Sequence, residues 1–355
     1  MSTMPAFKEE VKNLWNTQLP FVVYRLPGTS MLTCIVQDTD TLHYLTDWKT
    51  EGFIMAPFDK GKPVVQIRPD RNYNYKVNRA EEGRDDDENR EFEKGLLSSE
   101  AKTYIEKVAS AKNYIRSSDL QKIVLSRKLT IEQNSSNSVE TFFSMEKLYP
   151  DAMVYFWSHP RIGTWLGATP ETLLDYTPET IRTMALAGTQ PKQSGTNETW
   201  GGKEREEQHL VTEAILEALQ NLGIKTEYSG PVTSYAGNLA HLRTDILGRH
   251  SSIPIENVIK SLHPTPAICG WPTSKAFEYI KNTETYDREF YTGYLGYFRP
   301  EGQTQFFVNL RCMQWKESKA HIYVGGGITA QSDPESEWWE TVRKSQTLLR
   351  AFRIS

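Results

Sequence analysis

The run Val324-Gly325-Gly326-Gly327-Ile328-Thr329-Ala330 constrains the fold of this chain more than any other stretch. Three consecutive glycines lose much conformational entropy on folding and bring no side chain to a core. Such a run is useful where a backbone must pass close to something and offer its amides. The surrounding sequence predicts a strand over Ala320 to Val324, a glycine loop, a short polar turn and a long helix. Asp333 suits the N-cap of that helix, and Pro334 suits its first turn. Glu337 and Glu340 stand three apart, and Lys344 lies four further on, so the three share one helix face. Two readings are open. The stretch is either a glycine turn before a solvated, charge-paired helix, or a backbone cradle beside functional carboxylates.

A chain of 355 residues holds one large domain or two of ordinary size, and 38% hydrophobic content supplies a sizeable core. A net charge of −4 argues against general nucleic-acid binding, which leaves a basic footprint. No segment approaches the roughly 18 consecutive apolar residues that span a bilayer. The start, Met1 to Glu10, lacks the layout of a signal peptide. Cys34, Cys269 and Cys312 are far apart and odd in number, without metal-ligand spacing. A soluble cytoplasmic protein is expected, with neither nucleic acid nor membrane as partner. With no evident exposed apolar seam, a monomer is expected.

Pro5 to Asn16 reads as an amphipathic helix with Phe7, Val11, Leu14 and Trp15 on one side. Strands are predicted over 21–25, 31–37, 52–57 and 63–68. The acidic stretch 80–94 has nothing to fill a core and reads as a solvated linker. Further on, helices are predicted over 98–117, 139–149, 203–222, 256–261 and 274–281, before the final one. Strands are predicted over 120–130, 154–158, 163–167, 172–176, 181–186, 226–228, 241–248, 293–299, 305–314 and 320–324. They come in groups rather than in strict alternation with helices, which predicts an α+β fold, not a doubly wound parallel sheet. The chain divides into an N-terminal part, 1–95, and a catalytic region, 96–355.

Several groups could carry chemistry. Lys122, inside Lys122-Ile123-Val124-Leu125-Ser126, either reaches solvent from an edge strand or is desolvated toward the range of a general base. Glu171 follows the turn Gly167-Ala168-Thr169-Pro170; if buried, its carboxyl stays protonated and becomes a general acid. Glu204 and Glu207 repeat the spacing of Glu337 and Glu340. Two such helices face to face would gather four carboxylates, an oxygen set that suits magnesium better than zinc. Arg311, in the strand predicted over 305–314, could hold a substrate carboxylate bidentately or simply pair at the surface. His241 and His263 are more often structural than functional.

In this order the motifs resemble the chorismate-utilising enzymes, the family of isochorismate synthase, salicylate synthase and the anthranilate and aminodeoxychorismate synthase catalytic subunits. The matching stretches are Lys122–Arg127, Gly167–Glu171, Leu186-Ala187-Gly188-Thr189, Glu204–Glu207, His263-Pro264-Thr265-Pro266-Ala267, Tyr291-Thr292-Gly293, Leu310–Cys312 and the glycine stretch. The resemblance implies one large α+β domain with two central β-sheets packed together and helices outside. It implies Lys122 as general base and Glu171 as general acid. Magnesium would fall on Glu207 and Glu340, with Glu204 and Glu337 acting through water. Substrate contacts would fall on Gly188, Thr189, His241, Ala267, Tyr291, Arg311, Gly325 and Lys344. Ala267 favours an isochorismate synthase, converting chorismate for menaquinone or siderophore synthesis, over a salicylate synthase. A non-catalytic chorismate binder is the rival from another class. Two departures bear on local geometry: Gln208 follows Glu207 where many relatives have histidine, and the loop has three glycines where glycine-alanine-glycine is commoner.

Overall fold

In the computed structural model, residues 4–77, 99–132, 137–192, 198–237, 239–251 and 253–354 are described. The acidic stretch 80–94 lies outside them. In chain order the first elements are α1 (Met4–Thr17), β1 (Phe21–Arg25), β2 (Met31–Val36), β3 (His43–Tyr44), β4 (Gly52–Ala56), β5 (Val65–Ile67) and β6 (Arg71–Lys76). Then come α2 (Ser99–Arg116), β7 (Lys122–Glu132), α3 (Ser138–Leu148), β8 (Met153–His159), β9 (Gly163–Thr169), β10 (Thr172–Tyr176) and β11 (Thr180–Pro191). The middle holds α4 (Gly202–Asn221), β12 (Lys225–Ala236), β13 (Leu239–Arg249), α5 (Ile255–Leu262), β14 (Gly270–Trp271) and α6 (Thr273–Thr283). The chain ends with β15 (Tyr294–Phe298), β16 (Thr304–Val308), β17 (Cys312–Lys316), β18 (Lys319–Thr329) and α7 (Pro334–Ile354).

The strands form two nine-stranded sheets, ordered β14-β7-β18-β17-β9-β8-β1-β2-β6 and β12-β13-β11-β10-β16-β15-β4-β5-β3. Strand periodicity explains why they stack, because alternate side chains leave opposite faces. In β8, Met153, Tyr155 and Trp157 enter the layer between the sheets, while Val154 and Phe156 face the outer helices. In β4 of the other sheet, Phe53 and Met55 enter the same central layer, and Ile54 and Ala56 face outward. The order is therefore helices, sheet, sheet, helices, the architecture expected from the resemblance. Trp157 and Trp165 are fully buried at its centre.

Two expectations need correction. The glycine run is no loop: β18 continues through it to Thr329, with Gly325, Gly326 and Gly327 paired to Ser126, Leu125 and Val124 of β7. The strand expected over 305–314 is two strands, β16 in the second sheet and β17 in the first, broken at Asn309–Arg311. Arg311 has φ +47 there, which no regular strand allows. The chain makes a similar passage between sheets from β9 to β10, through Pro170-Glu171. The two crossings are tied together: Thr169 Oγ1 donates to Val308 O at 2.6 Å, Val308 N to Glu171 O at 3.0 Å, and Ala168 N to Arg311 O at 3.0 Å.

Candidate active site

Both crossings open onto one cavity, with about 700 Å³ of space not filled by atoms, its open mouth included. Glu171, Arg311, Tyr291, His241, Glu207 and Glu340 line it, together with Gly188, Thr189, Ala267, Gly325 and Lys344. Glu171 is buried, and burial pushes its carboxyl up to about 8 even though Lys122, Lys344 and Arg311 pull it down. It is therefore largely protonated at neutral pH. Lys122 is no edge lysine: it is fully buried, because β14 covers this end of β7 and pairs Trp271 with it. Its ammonium lies 2.8 Å from Glu207 Oε1, though without hydrogen-bond alignment.

His241 Nδ1 lies 3.0 Å from the carbonyl of Gly188, which can only accept, so the ring donates there. Nε2 is then an acceptor, and it has no partner among the described residues. Burial first, then Arg311 and Lys344, lowers the ring to about 3, so it is neutral. Gly188 has φ +67 at a bulge in β11, and a Cβ there would meet Glu204 Cβ at 3.1 Å. Arg311 donates to Thr347 Oγ1 at 3.1 Å and has no carboxylate partner among the described residues, which leaves its fork available. Tyr291 stacks on Tyr323 with ring centroids 5.4 Å apart.

The glycines explain how the carboxylates fit. A Cβ on Gly327 would collide with Glu207 Oε1 and come within 2.8 Å of Lys122 Cε. On Gly326 it would lie 3.2 Å from Glu337 Oε2 and 3.7 Å from Glu340 Oε1. The run is a floor: Glu207 from α4 lies over Gly327, and Glu337 and Glu340 from α7 lie over Gly326. The helix is capped as its sequence suggests, with Ser336 N donating to Asp333 Oδ1 at 2.9 Å.

Comparison with known proteins identifies the family. A family model described as chorismate binding enzyme matches residues 59–353. The chain belongs to the chorismate-binding enzymes. Isochorismate synthase EntC of Escherichia coli (strain K12) is 31% identical over 270 residues, which is 72% of this chain and 68% of the relative. Among solved structures, the Bacillus anthracis protein DhbC shares the fold at TM-score 0.81 and 22% identity, over 98% of this chain and all of that one. Escherichia coli MenF does so at TM-score 0.77 and 19% identity, over 94% of this chain and 88% of that one.

The structure of this chorismate-binding enzyme brings together most of the residues singled out in its sequence, but not all. Glu204 packs its Cβ under Gly188 and turns its carboxylate back toward Gly201, away from the cavity lining. His263 is a packed structural histidine: it stacks edgewise on Tyr294, and burial lowers it to about 4. For a metal, the fit is decided by Glu207, Glu337 and Glu340. Glu337 is 1% exposed, and its Oε2 has no hydrogen-bond partner among the described residues. Burial and the neighbouring Glu340 raise Glu337 to about 7, while Lys344 and Lys203 together outweigh burial and keep Glu340 low. Glu337 rises although Lys203 is paired to it, so burial, with the second carboxylate beside it, outweighs that pair. Crowded, partly unpartnered oxygens of this kind suit a hard divalent cation.

Other residues that shape the site were not evident in the sequence. On the edge away from β18, β7 has no strand partner past Ile123 among the described residues, and an ion pair stands in for one. Glu284 accepts Ser126 N at 2.8 Å, and Arg288 donates to Val124 O at 2.7 Å and to Ile268 O at 3.0 Å. Gln208, the departure beside Glu207, accepts Ala187 N at 2.9 Å and donates to Ala185 O and Thr244 Oγ1, each at 3.0 Å. It fastens α4 to the bulge that presents Gly188. Lys203, also on α4, pairs with Glu337. Only the pattern of polar residues at buried helix positions could have signalled Gln208.

Proposed function

We propose that the chain is an isochorismate synthase, converting chorismate to isochorismate by adding water at C2 and releasing the hydroxyl at C4. The observation that carries the reading is a buried, protonated Glu171 lining the same cavity as Glu207, against which the buried Lys122 lies. Lys122, as the neutral amine left once its ammonium proton has passed to solvent, takes a proton from the attacking water. The ring double bonds shift, the C4–O bond breaks, and Glu171 delivers the proton with which the hydroxyl leaves as water. Water is gained and lost once, so the sum is an isomerisation; proton exchange with solvent resets both side chains. Arg311, Tyr291 and Lys344 hold the pyruvyl carboxylate, and neutral His241 offers its Nε2 lone pair to a substrate hydroxyl.

Glu207, Glu337 and Glu340 would hold magnesium, which supplies charge to bind and orient the ring carboxylate. The name of EntC, the relative at 31% identity, supports the same activity. Ala267, in the cavity wall, favours stopping at isochorismate. Incubating the protein with chorismate and Mg²⁺ and resolving the products by chromatography tests this. Isochorismate without matching salicylate or pyruvate is expected. Salicylate and pyruvate in equal amounts would instead make it a salicylate synthase, and binding without turnover would make it a chorismate-binding protein only.

A further inference from the structure

Each carboxylate of the cluster has a lysine of its own. Lys122 lies against Glu207, Lys344 against Glu340 and Lys203 against Glu337. The first two have places in the proposed reaction; Lys203 has none. Its position is also costly, because the first turn of a helix is the positive end of the helix dipole and disfavours a lysine. Its side chain nevertheless reaches across from α4 to α7, and its ammonium feels the charges of Glu337, Glu340 and Glu207 together. These are the carboxylates proposed to hold the divalent ion.

We propose that Lys203 is a tethered cation that competes with the divalent ion for the carboxylate cluster and so sets its affinity. The inference rests on the metal reading given above. Lys203 differs from its two counterparts in how easily it can leave. Lys122 is fully buried, and Lys344 is also fixed by a 3.0 Å hydrogen bond to Gly325 O. Lys203 is 23% exposed in its side chain, and among the described residues Glu337 is its one bonded partner. Its flexible four-carbon stem can swing the ammonium into water without disturbing either helix. When it does, Glu337 gains a second free oxygen. Two cations cannot share that space, because like charges a few ångströms apart repel strongly at a half-buried site.

The test is calorimetric titration of the full chain with Mg²⁺ in the absence of chorismate, repeated with Mn²⁺ read by the spectrum of the free ion. Lys203→Gln should bind either ion about tenfold more tightly than the unmodified protein. Lys203→Arg, which keeps the charge, should stay near the unmodified affinity. Arg205→Gln removes an equal charge from the exposed side of the same helix turn, and should change little. Unchanged or weaker binding by Lys203→Gln overturns the proposal, as does equal tightening by Arg205→Gln. Glu340→Gln separates this failure from failure of the metal reading: if that variant binds as tightly as the unmodified protein, the carboxylates are not the metal site at all.

Discussion

Glu171 should weaken the fold as pH rises, and Glu171→Gln should remove that weakness. The residue is 3% exposed, and burial lifts its carboxyl from an ordinary 4.5 to about 8, with Lys122, Lys344 and Arg311 opposing. Between these two values the folded protein keeps a proton that the unfolded chain gives up. Stability must then fall with rising pH across that window. Below about 4.5 both states are protonated and nothing is lost; above about 8 both are ionised and the loss is complete. Each pKa unit corresponds to about 1.36 kcal/mol, so the whole loss is about 5 kcal/mol.

Glutamine keeps the shape and much of the hydrogen bonding but cannot ionise. Urea unfolding of both proteins near pH 5, 7 and 9 isolates the effect, because other titrating groups cancel in the difference. The variant should gain on the unmodified protein steadily with pH, by up to about 5 kcal/mol, while its turnover falls about 10²-fold or more. A protein stabilised and disabled by one substitution shows a group held in place for chemistry, not for folding. A difference that stays flat with pH, or shrinks, would mean that Glu171 ionises as readily inside the protein as outside. The proposed acid would then have no proton to give at neutral pH.

Further outcomes follow from the same geometry. The unmodified enzyme should lose kcat/KM above about pH 8 as Glu171 ionises, a limb to be read from a pH–rate profile in Mg²⁺. Lys122→Gln should lower isochorismate formation by about 10²-fold or more while equilibrium dialysis still finds chorismate bound; near-normal turnover would reduce Lys122 to a structural lysine. Arg311→Lys keeps the charge and loses the fork, so KM should rise by the equivalent of about 1.5–3 kcal/mol with kcat less affected. Gly326→Ala asks the carboxylates to give by only a few tenths of an ångström, whereas Gly327→Ala drives a methyl group into Glu207 and Lys122. The first should stay active and the second should not, a contrast that steady-state assays would settle.

Much of this was legible in the sequence because it is local. Phe7, Val11 and Leu14 mark α1 by spacing alone, and all three are buried. Glu337 and Glu340 share a face because helix geometry requires it. What could not be read depends on partners far away in the chain. The apolar run through Phe306, Phe307 and Val308 continues into Cys312 and Met313, and a period of two carries no mark of a change of sheet. Glycines show no periodicity, so the passage of β18 through them becomes visible only beside β7, some two hundred residues earlier. Lys203 and Glu337 are 134 residues apart, and at the start of α4 a lysine reads as surface charge. β6 alternates arginine, asparagine and tyrosine with half of its residues exposed, which hides an edge strand among polar residues.

The placement of Glu171 and Arg311 at sheet crossings has a physical reason. A residue inside a ladder has its backbone committed on both sides and its side chain assigned to one face. At a crossing, the chain leaves one ladder before it joins the next, so the side chain can point along the seam between the sheets. That freedom costs strain. Arg311 at φ +47 and Thr292 at φ +59 sit where non-glycine residues are uncommon, at about 1–3 kcal/mol each. The surroundings hold both in place. Asn309 O accepts Thr292 N at 2.9 Å, its side-chain amide donates to Phe290 O at 2.9 Å, and its Oδ1 accepts from Tyr155 at 2.7 Å. Asn309 is fully buried, so these bonds form away from water, where an unmade bond costs most. One asparagine thus joins the central strand β8, the Tyr291–Thr292 turn and the Arg311 crossing. The arginine that lines the candidate site is fixed by the same network that holds the two sheets together.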